Sequence, residues 1–150
     1  ELAMLEQALN GVFDGSEAAP TTLADLAAID PTAFGDVRFA LVPACMTVEA
    51  RSNATSIWSA IRCGETPPAA ERLDMPQHIL VWRQAGSSRF RILGEEEFMA
   101  LSCVAEGLDF ATICEMLAAY DDPETAAMRA ANYLRGWIEA EILVRTPAAS

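Results

Sequence analysis

The chain contains no lysine. Its ten basic residues are all arginine and they face 22 acids, for a formal net charge of -12 over 150 residues. Affinity for nucleic acid rests mainly on neutralising phosphates with Lys and Arg, so a surface this acidic repels DNA or RNA unless its arginines are tightly grouped. Histidine is nearly as scarce, with His78 alone. The four cysteines, Cys45, Cys63, Cys103 and Cys114, form no CxxC pair. Zinc-finger spacing is therefore missing, and no imidazole is placed by the sequence beside a Ser or Cys nucleophile. No run of about eighteen apolar residues exists and no charged segment precedes a short apolar one, which argues against a membrane-spanning helix and a signal peptide. No glycine-rich stretch matches a phosphate cradle or a dinucleotide fingerprint. These gaps predict a non-catalytic chain with no metal or cofactor of its own.

What the chain has in quantity is apolar surface, 52% of its residues. At this length a folded chain hides roughly two-thirds of the surface it would expose when unfolded, enough for one sizeable core or two small ones. Cysteines scattered among apolar neighbours fit buried thiols in a reducing, cytoplasmic setting, although their even number leaves a disulfide framework open. The first residue is Glu1, consistent with a segment having been removed or left out upstream.

Periodicity divides the chain into unequal parts. Leu2, Leu5, Leu9, Val12 and Phe13 recur at helical spacing before Gly15, and Thr22 is placed to cap a short helix from Leu23 to Ile29 that Asp30-Pro31 stops. Val37 to Val42 and Met46 to Ala50 read as extended, and Asn53 opens a helix bearing Ile57, Trp58 and Ile61 that Gly64 closes. Residues 1–66 thus form a helical and extended N-terminal part. The prolines Pro67, Pro68 and Pro76 mark residues 67–77 as a linker, and residues 78–150 as a second domain.

In that second domain, Ile79 to Arg83 and Ser88 to Leu93 read as a hairpin joined through Ala85-Gly86-Ser87-Ser88. Three helices follow. Glu95, Glu96 and Glu97 fill the first turn of one, with Phe98, Leu101, Val104 and Ala105 inward and Gly107 at its end. Asp109 caps the next, with Phe110, Ile113, Leu117 and Tyr120 inward; Asp122-Pro123 starts the third, which carries Met128, Ala131, Leu134, Trp137 and Ile138. Ile142 to Arg145 is a short closing strand. Hairpin, three helices and strand predict an α+β chain, mostly helical, with a C-terminal winged-helix-like domain.

Two surfaces of such a domain could bind. The third helix occupies the position of a recognition helix, and Arg129, Asn132 and Arg135 are its candidates for DNA. Yet from Leu93 onward eleven acids face Arg129, Arg135 and Arg145. The other surface is the hairpin, where Arg83, Arg89 and Arg91 gather in or beside two strands. A sheet built from Ile79 to Arg83, Arg89 to Leu93 and Ile142 to Arg145 could accept a peptide as an added strand, with Ile79, Val81, Arg83, Arg89, Arg91 and Leu93 as its binding residues. A solvated strand face that blunts an edge against aggregation is the competing reading of those arginines.

Leu80-Val81-Trp82-Arg83, Phe90-Arg91-Ile92-Leu93 with Glu97 and Leu101, then Gly107, Phe110 and Cys114, and Leu134 to Trp137 before Ile142 to Arg145, resemble the C-terminal domain of a bacterial family of the HvfC/BufC type, labelled a DNA-binding domain. Leu5-Glu6 with Phe13, Leu23 to Ile29, Val37 to Pro43 and Ile57-Trp58 are similar too, so the resemblance covers nearly the whole chain. The shared positions are mainly hydrophobic, and the Val81-Trp82-Arg83 strand ending is the most distinctive. Members usually carry a further N-terminal helical domain before the point of Glu1. The resemblance implies a partner subunit, related to the one in methanobactin biosynthesis. Such a subunit accompanies a TIM-barrel multinuclear iron oxidase and holds the leader of a ribosomally made, cysteine-containing precursor peptide. The iron would belong to the oxidase. A winged-helix transcriptional regulator is the alternative.

Overall fold

Local signals set most element boundaries in the computed structural model, which describes residues 1–147. In chain order the elements are α1 (Leu2–Phe13), α2 (Leu23–Ala27), a 3₁₀ segment (Pro31–Asp36), β1 (Arg38–Leu41), β2 (Cys45–Ser52), α3 (Ala54–Cys63), β3 (Arg72–Gln84), β4 (Ser87–Leu93), α4 (Glu95–Ala105), α5 (Phe110–Tyr120), α6 (Ala126–Glu139) and β5 (Leu143–Thr146). The α+β expectation holds. The chain forms two compact units, each from two stretches: Glu1–Gly15 with Ala44–Leu93, and Ser16–Pro43 with the residues from Gly94 onward.

In the first unit, β3 lies at the centre of a three-stranded antiparallel sheet with β2 and β4 at its edges. Leu5, Ala8, Leu9 and Val12 lie on one face of α1 and form a core with Ala50, Ile79 and Val81, flanked by Val48, Trp58 and Phe90. The Trp58 and Phe90 rings meet edge to face, 5.2 Å between centroids, an arrangement the ring quadrupoles favour. The hairpin turn is tighter than the sequence suggests. Gln84 pairs with Ser87, and Ala85 and Gly86 have φ of 50° and 75°, the two positive values of a type I′ turn.

The linker expectation needs correction. Residues 72–77 belong to β3, and the register between β2 and β3 shifts between Ala50 and Ser52, opposite Gln77 and Arg72. Pro76 falls in that irregular stretch, where a missing N–H costs no regular ladder bond. The preceding residues are also tied down: the Asn53 amide donates to the Ala69 carbonyl at 2.8 Å and its oxygen accepts from the Glu71 amide at 2.9 Å. Proline content reported the bulge as a boundary.

In the second unit, Thr22 and Asp25 form a reciprocal capping box on α2, and the Asp109 carboxylate caps α5 through the Thr112 amide at 2.8 Å, as their sequence positions predicted. The third helix starts later than expected: Thr125 precedes it. Asp122 instead holds the turn ahead of it, accepting from the Glu124 amide at 3.1 Å and the Thr125 hydroxyl at 3.1 Å. α5 packs against α4 and α6. Leu101, Val104, Leu117, Leu134 and Trp137 are buried, whereas Ala105, Tyr120, Met128 and Ala131, expected inward, are exposed.

The closing strand also pairs differently from the expectation. β5 joins β1, with Arg38 opposite Thr146 and Leu41 opposite Leu143, and the Val42 amide extends the ladder to the Ile142 carbonyl at 2.8 Å. The hairpin has β2 as its third strand instead. Each extended stretch was visible from its alternation, but which strands pair across long sequence separations is decided by burial, not local pattern. All four cysteines are free thiols, so the disulfide framework does not occur. Among the described residues no helix is long and apolar enough to cross a membrane.

Candidate functional site

Register decides what the hairpin can present. Ile79 pairs with Ile92, Val81 with Phe90 and Arg83 with Ser88, so these share the face that α1 covers, while Arg89 and Arg91 lie on the other. The three arginines therefore do not form one patch. Arg83 is committed, its guanidinium donating to the Phe13 carbonyl at 2.6 Å. Ile79 and Val81 are fully buried on the central strand and Leu93 is buried at the end of β4, so none of these three side chains can meet a ligand. Of the expected peptide contacts, the exposed Arg89 and the half-buried Arg91 remain on an edge.

The edge itself has a defined hydrogen-bonding polarity. Around a two-residue turn the flanking pair, Gln84 and Ser87, exchanges both backbone bonds, and alternate pairs beyond it do the same. Ser88, Phe90 and Ile92 then direct their N–H and C=O groups away from β3. The Arg83 amide fits this pattern, pointing from β3 toward β2 and donating to the Ala44 carbonyl at 3.0 Å. Ile92 is also 47% exposed.

The helical candidates have a different fate. Arg129 is the hub of its unit: Nε donates to both Glu96 oxygens at 3.1 and 3.2 Å, one Nη to the Asp122 carbonyl at 2.8 Å and to the Thr125 hydroxyl, the other to the Leu117 carbonyl at 2.9 Å. Its side chain is 19% exposed. It cannot also reach a phosphate or a base edge. Arg135 is exposed and paired with Glu139 at 2.9 Å, and Asn132 is exposed.

The glutamates at the start of α4 do more than complement its N-terminus. Glu95 accepts from the Tyr120 hydroxyl at 3.3 Å, Glu96 also accepts from the Tyr133 hydroxyl at 2.9 Å, and Glu97 accepts from the Trp137 indole N–H at 2.9 Å. Burial, then the Glu96 bond, push the Tyr133 hydroxyl up to about 12. The sequence showed the acidic cluster but not its partners, which are brought to it from α5 and α6.

One open cleft of about 700 Å³ lies wholly in the first unit, between α1, α3 and the hairpin turn. Glu6, Asn10 and Phe13 line one wall, Trp58 and Arg62 another, and Ser88 the rim. Arg62 sits over the Trp58 ring, 5.5 Å from its centroid. Phe13 and Ile61, expected inside by their periodicity, are 54% and 57% exposed. Sequence reading did not single out this cleft, though a signal existed: α1 carries a second stripe at 6, 9, 10 and 13, one position on from its core stripe.

Burial raises the Cys45 thiol to about 12 and also raises Cys103 and Cys114, which keeps these thiols protonated and poorly nucleophilic. Among the described residues no group of His, Cys, Asp or Glu is arranged to hold a metal ion. His78 lies on β3 between Glu49 and Leu93. Compared with family models, curated proteins and solved structures, the chain gives no match.

Proposed function

We propose that this chain is a non-catalytic partner subunit that holds the leader of a ribosomally made precursor peptide for a TIM-barrel multinuclear iron oxidase, which would carry the iron and modify the peptide's cysteines. The observation that carries the peptide-binding part is the β4 edge: an edge strand with outward backbone groups at Ser88, Phe90 and Ile92 and an exposed arginine, Arg89, between them. An extended peptide added there would gain main-chain hydrogen bonds, each contributing about 0.5–1.5 kcal/mol net, and Arg89 would favour an acidic side chain beside it. The oxidase and the precursor come from the family resemblance, which rests on the residues quoted for it.

The DNA-reading alternative loses support from Arg129. With that guanidinium enclosed by Glu96, Asp122, Thr125 and Leu117, the third helix keeps Asn132 and a paired Arg135 as its polar face, too little to neutralise phosphates. The test of the proposed role combines two measurements. Co-purification with the oxidase, followed by peptide modification with and without this chain, checks the partnership. Calorimetry with the leader peptide checks the edge: Ile92→Pro removes an outward N–H and no β3 bond, so it should weaken binding about tenfold for one to two lost hydrogen bonds, and Arg89→Glu should weaken it further. Unchanged affinity in both variants rejects the β4 site.

A further inference from the structure

We propose that the cleft between α1 and α3 is an anchor pocket for the same peptide, seating an aromatic or long aliphatic side chain against Phe13 and Trp58 with a neighbouring lysine or arginine against Glu6. The inference rests on the reading that a peptide adds to β4, and it names what that peptide must carry. Three observations lead to it.

The first is apolar surface left without a partner. α1 uses one stripe, Leu5, Ala8, Leu9 and Val12, for its core, and the next stripe ends in a Phe13 ring that is 54% exposed. A single exposed hydrophobe is ordinary, but here Phe13 faces the half-buried Trp58 across the cleft of about 700 Å³. That volume lies within the range of sites that enclose a side chain or small ligand.

The second is polar groups left without partners. Arg38, Arg51, Arg129 and Arg135 each pair with a carboxylate, whereas Glu6 shares the cleft with Arg62 without forming an ion pair among the described residues, and the Asn10 side-chain amide has no hydrogen-bond partner there. An amide offers a donor and an acceptor, the complement of one peptide group. Arg62 is already held on the Trp58 ring. In a chain of net charge -12, the long-range field favours a cationic ligand, and Glu6 gives that preference a fixed point inside the cleft.

The third is continuity. Ser88 belongs both to the rim of the cleft and to the outward-facing set of β4. A strand lying along Ile92, Phe90 and Ser88 would thus reach a residue that lines the cleft, and on this proposal the side chains beyond that point enter it. Edge hydrogen bonding is indifferent to sequence, so the pocket supplies the selectivity that the strand lacks.

Fluorescence anisotropy on the whole chain tests this with labelled synthetic peptides: an alternating Thr-Val host ending in Phe-Lys, Ala-Lys or Phe-Glu. The wild-type chain should bind Phe-Lys about 10- to 100-fold tighter than Ala-Lys, the ratio expected for burying one ring. Phe13→Ala should erase that ratio, and Glu6→Lys should reverse the preference for Phe-Lys over Phe-Glu. Both positions are exposed, so circular dichroism should be unchanged. If Ile92→Pro weakens every peptide while Phe13→Ala and Glu6→Lys leave the selectivity intact, the edge stands and the pocket is overturned. If Phe13→Ala and Glu6→Lys change selectivity while Ile92→Pro has no effect, the pocket stands and strand addition falls. Absence of binding by all three peptides overturns both.

Discussion

Arginine shows how far position outweighs residue type in this chain. Arg129 is enclosed by carbonyl and carboxylate oxygens, Arg83 donates to the Phe13 carbonyl, Arg62 lies on an indole, and Arg89 faces solvent. Their identity was plain in the sequence; the partners of Arg83 and the Glu96 partner of Arg129 were not, because these lie 70 and 33 residues away along the chain, whereas Trp58 sits one helical turn from Arg62. Backbone conformation at single residues is equally specific. Ala85 holds φ of 50°, a region that costs an L residue with a plain Cβ about 1–2 kcal/mol. Ala85→Asn should raise stability by about 0.5–1 kcal/mol, read as a higher urea midpoint with an unchanged slope, because Asn favours the type I′ turn. Tyr133 adds a pH signature. Its pKa is raised from 10.0 to about 12 in the folded chain, so its contribution is fully present below pH 10 and is lost as pH rises toward 12. Stability measured over that window should fall in the wild-type chain, and Tyr133→Phe should flatten the fall.

At the scale of elements, α4, α5 and α6 are tied together by one polar network as well as by their apolar faces. Removing a partner from a largely buried ion pair leaves the other charge without compensation, so Arg129→Met should cost about 3 kcal/mol. Glu96→Gln should cost less, and the double variant should cost less than the two together, since both act on one network; chemical denaturation checks all three. The helices themselves were legible, because caps such as Thr22 and Asp109 and stripes such as Leu101 with Val104 are local signals. Strand pairing was not. The alternation in Ile142 to Arg145 marked a strand, but only the burial of Phe39, Ile142 and Leu143 selects β1 as its partner over the hairpin. Pro76 misled in the same way, marking an irregularity inside β3 rather than a domain boundary.

For the molecule as a whole, the acidic charge weighs against the DNA-binding reading. A net charge of -12, with the best-placed helix arginine consumed internally, predicts no retardation of duplex DNA in a gel-shift titration even at low salt; a shift that fades steeply with added salt would restore the regulator reading. The order of hairpin, helices and closing strand was visible in the sequence, yet the units divide it otherwise, joining the hairpin to α1, β2 and α3. That placement puts the elements of the proposed peptide site, the β4 edge and the cleft, in one unit. The central claim is that a peptide extends the sheet at β4. Amide hydrogen exchange by NMR, with and without a saturating Phe-Lys peptide, tests it residue by residue. Strand addition predicts slowed exchange at Ser88, Phe90 and Ile92, with little change at Arg89 and Arg91, whose amides already face β3. Slowing confined to the outward residues of β2, or bound peptide with no slowing along β4, would contradict it.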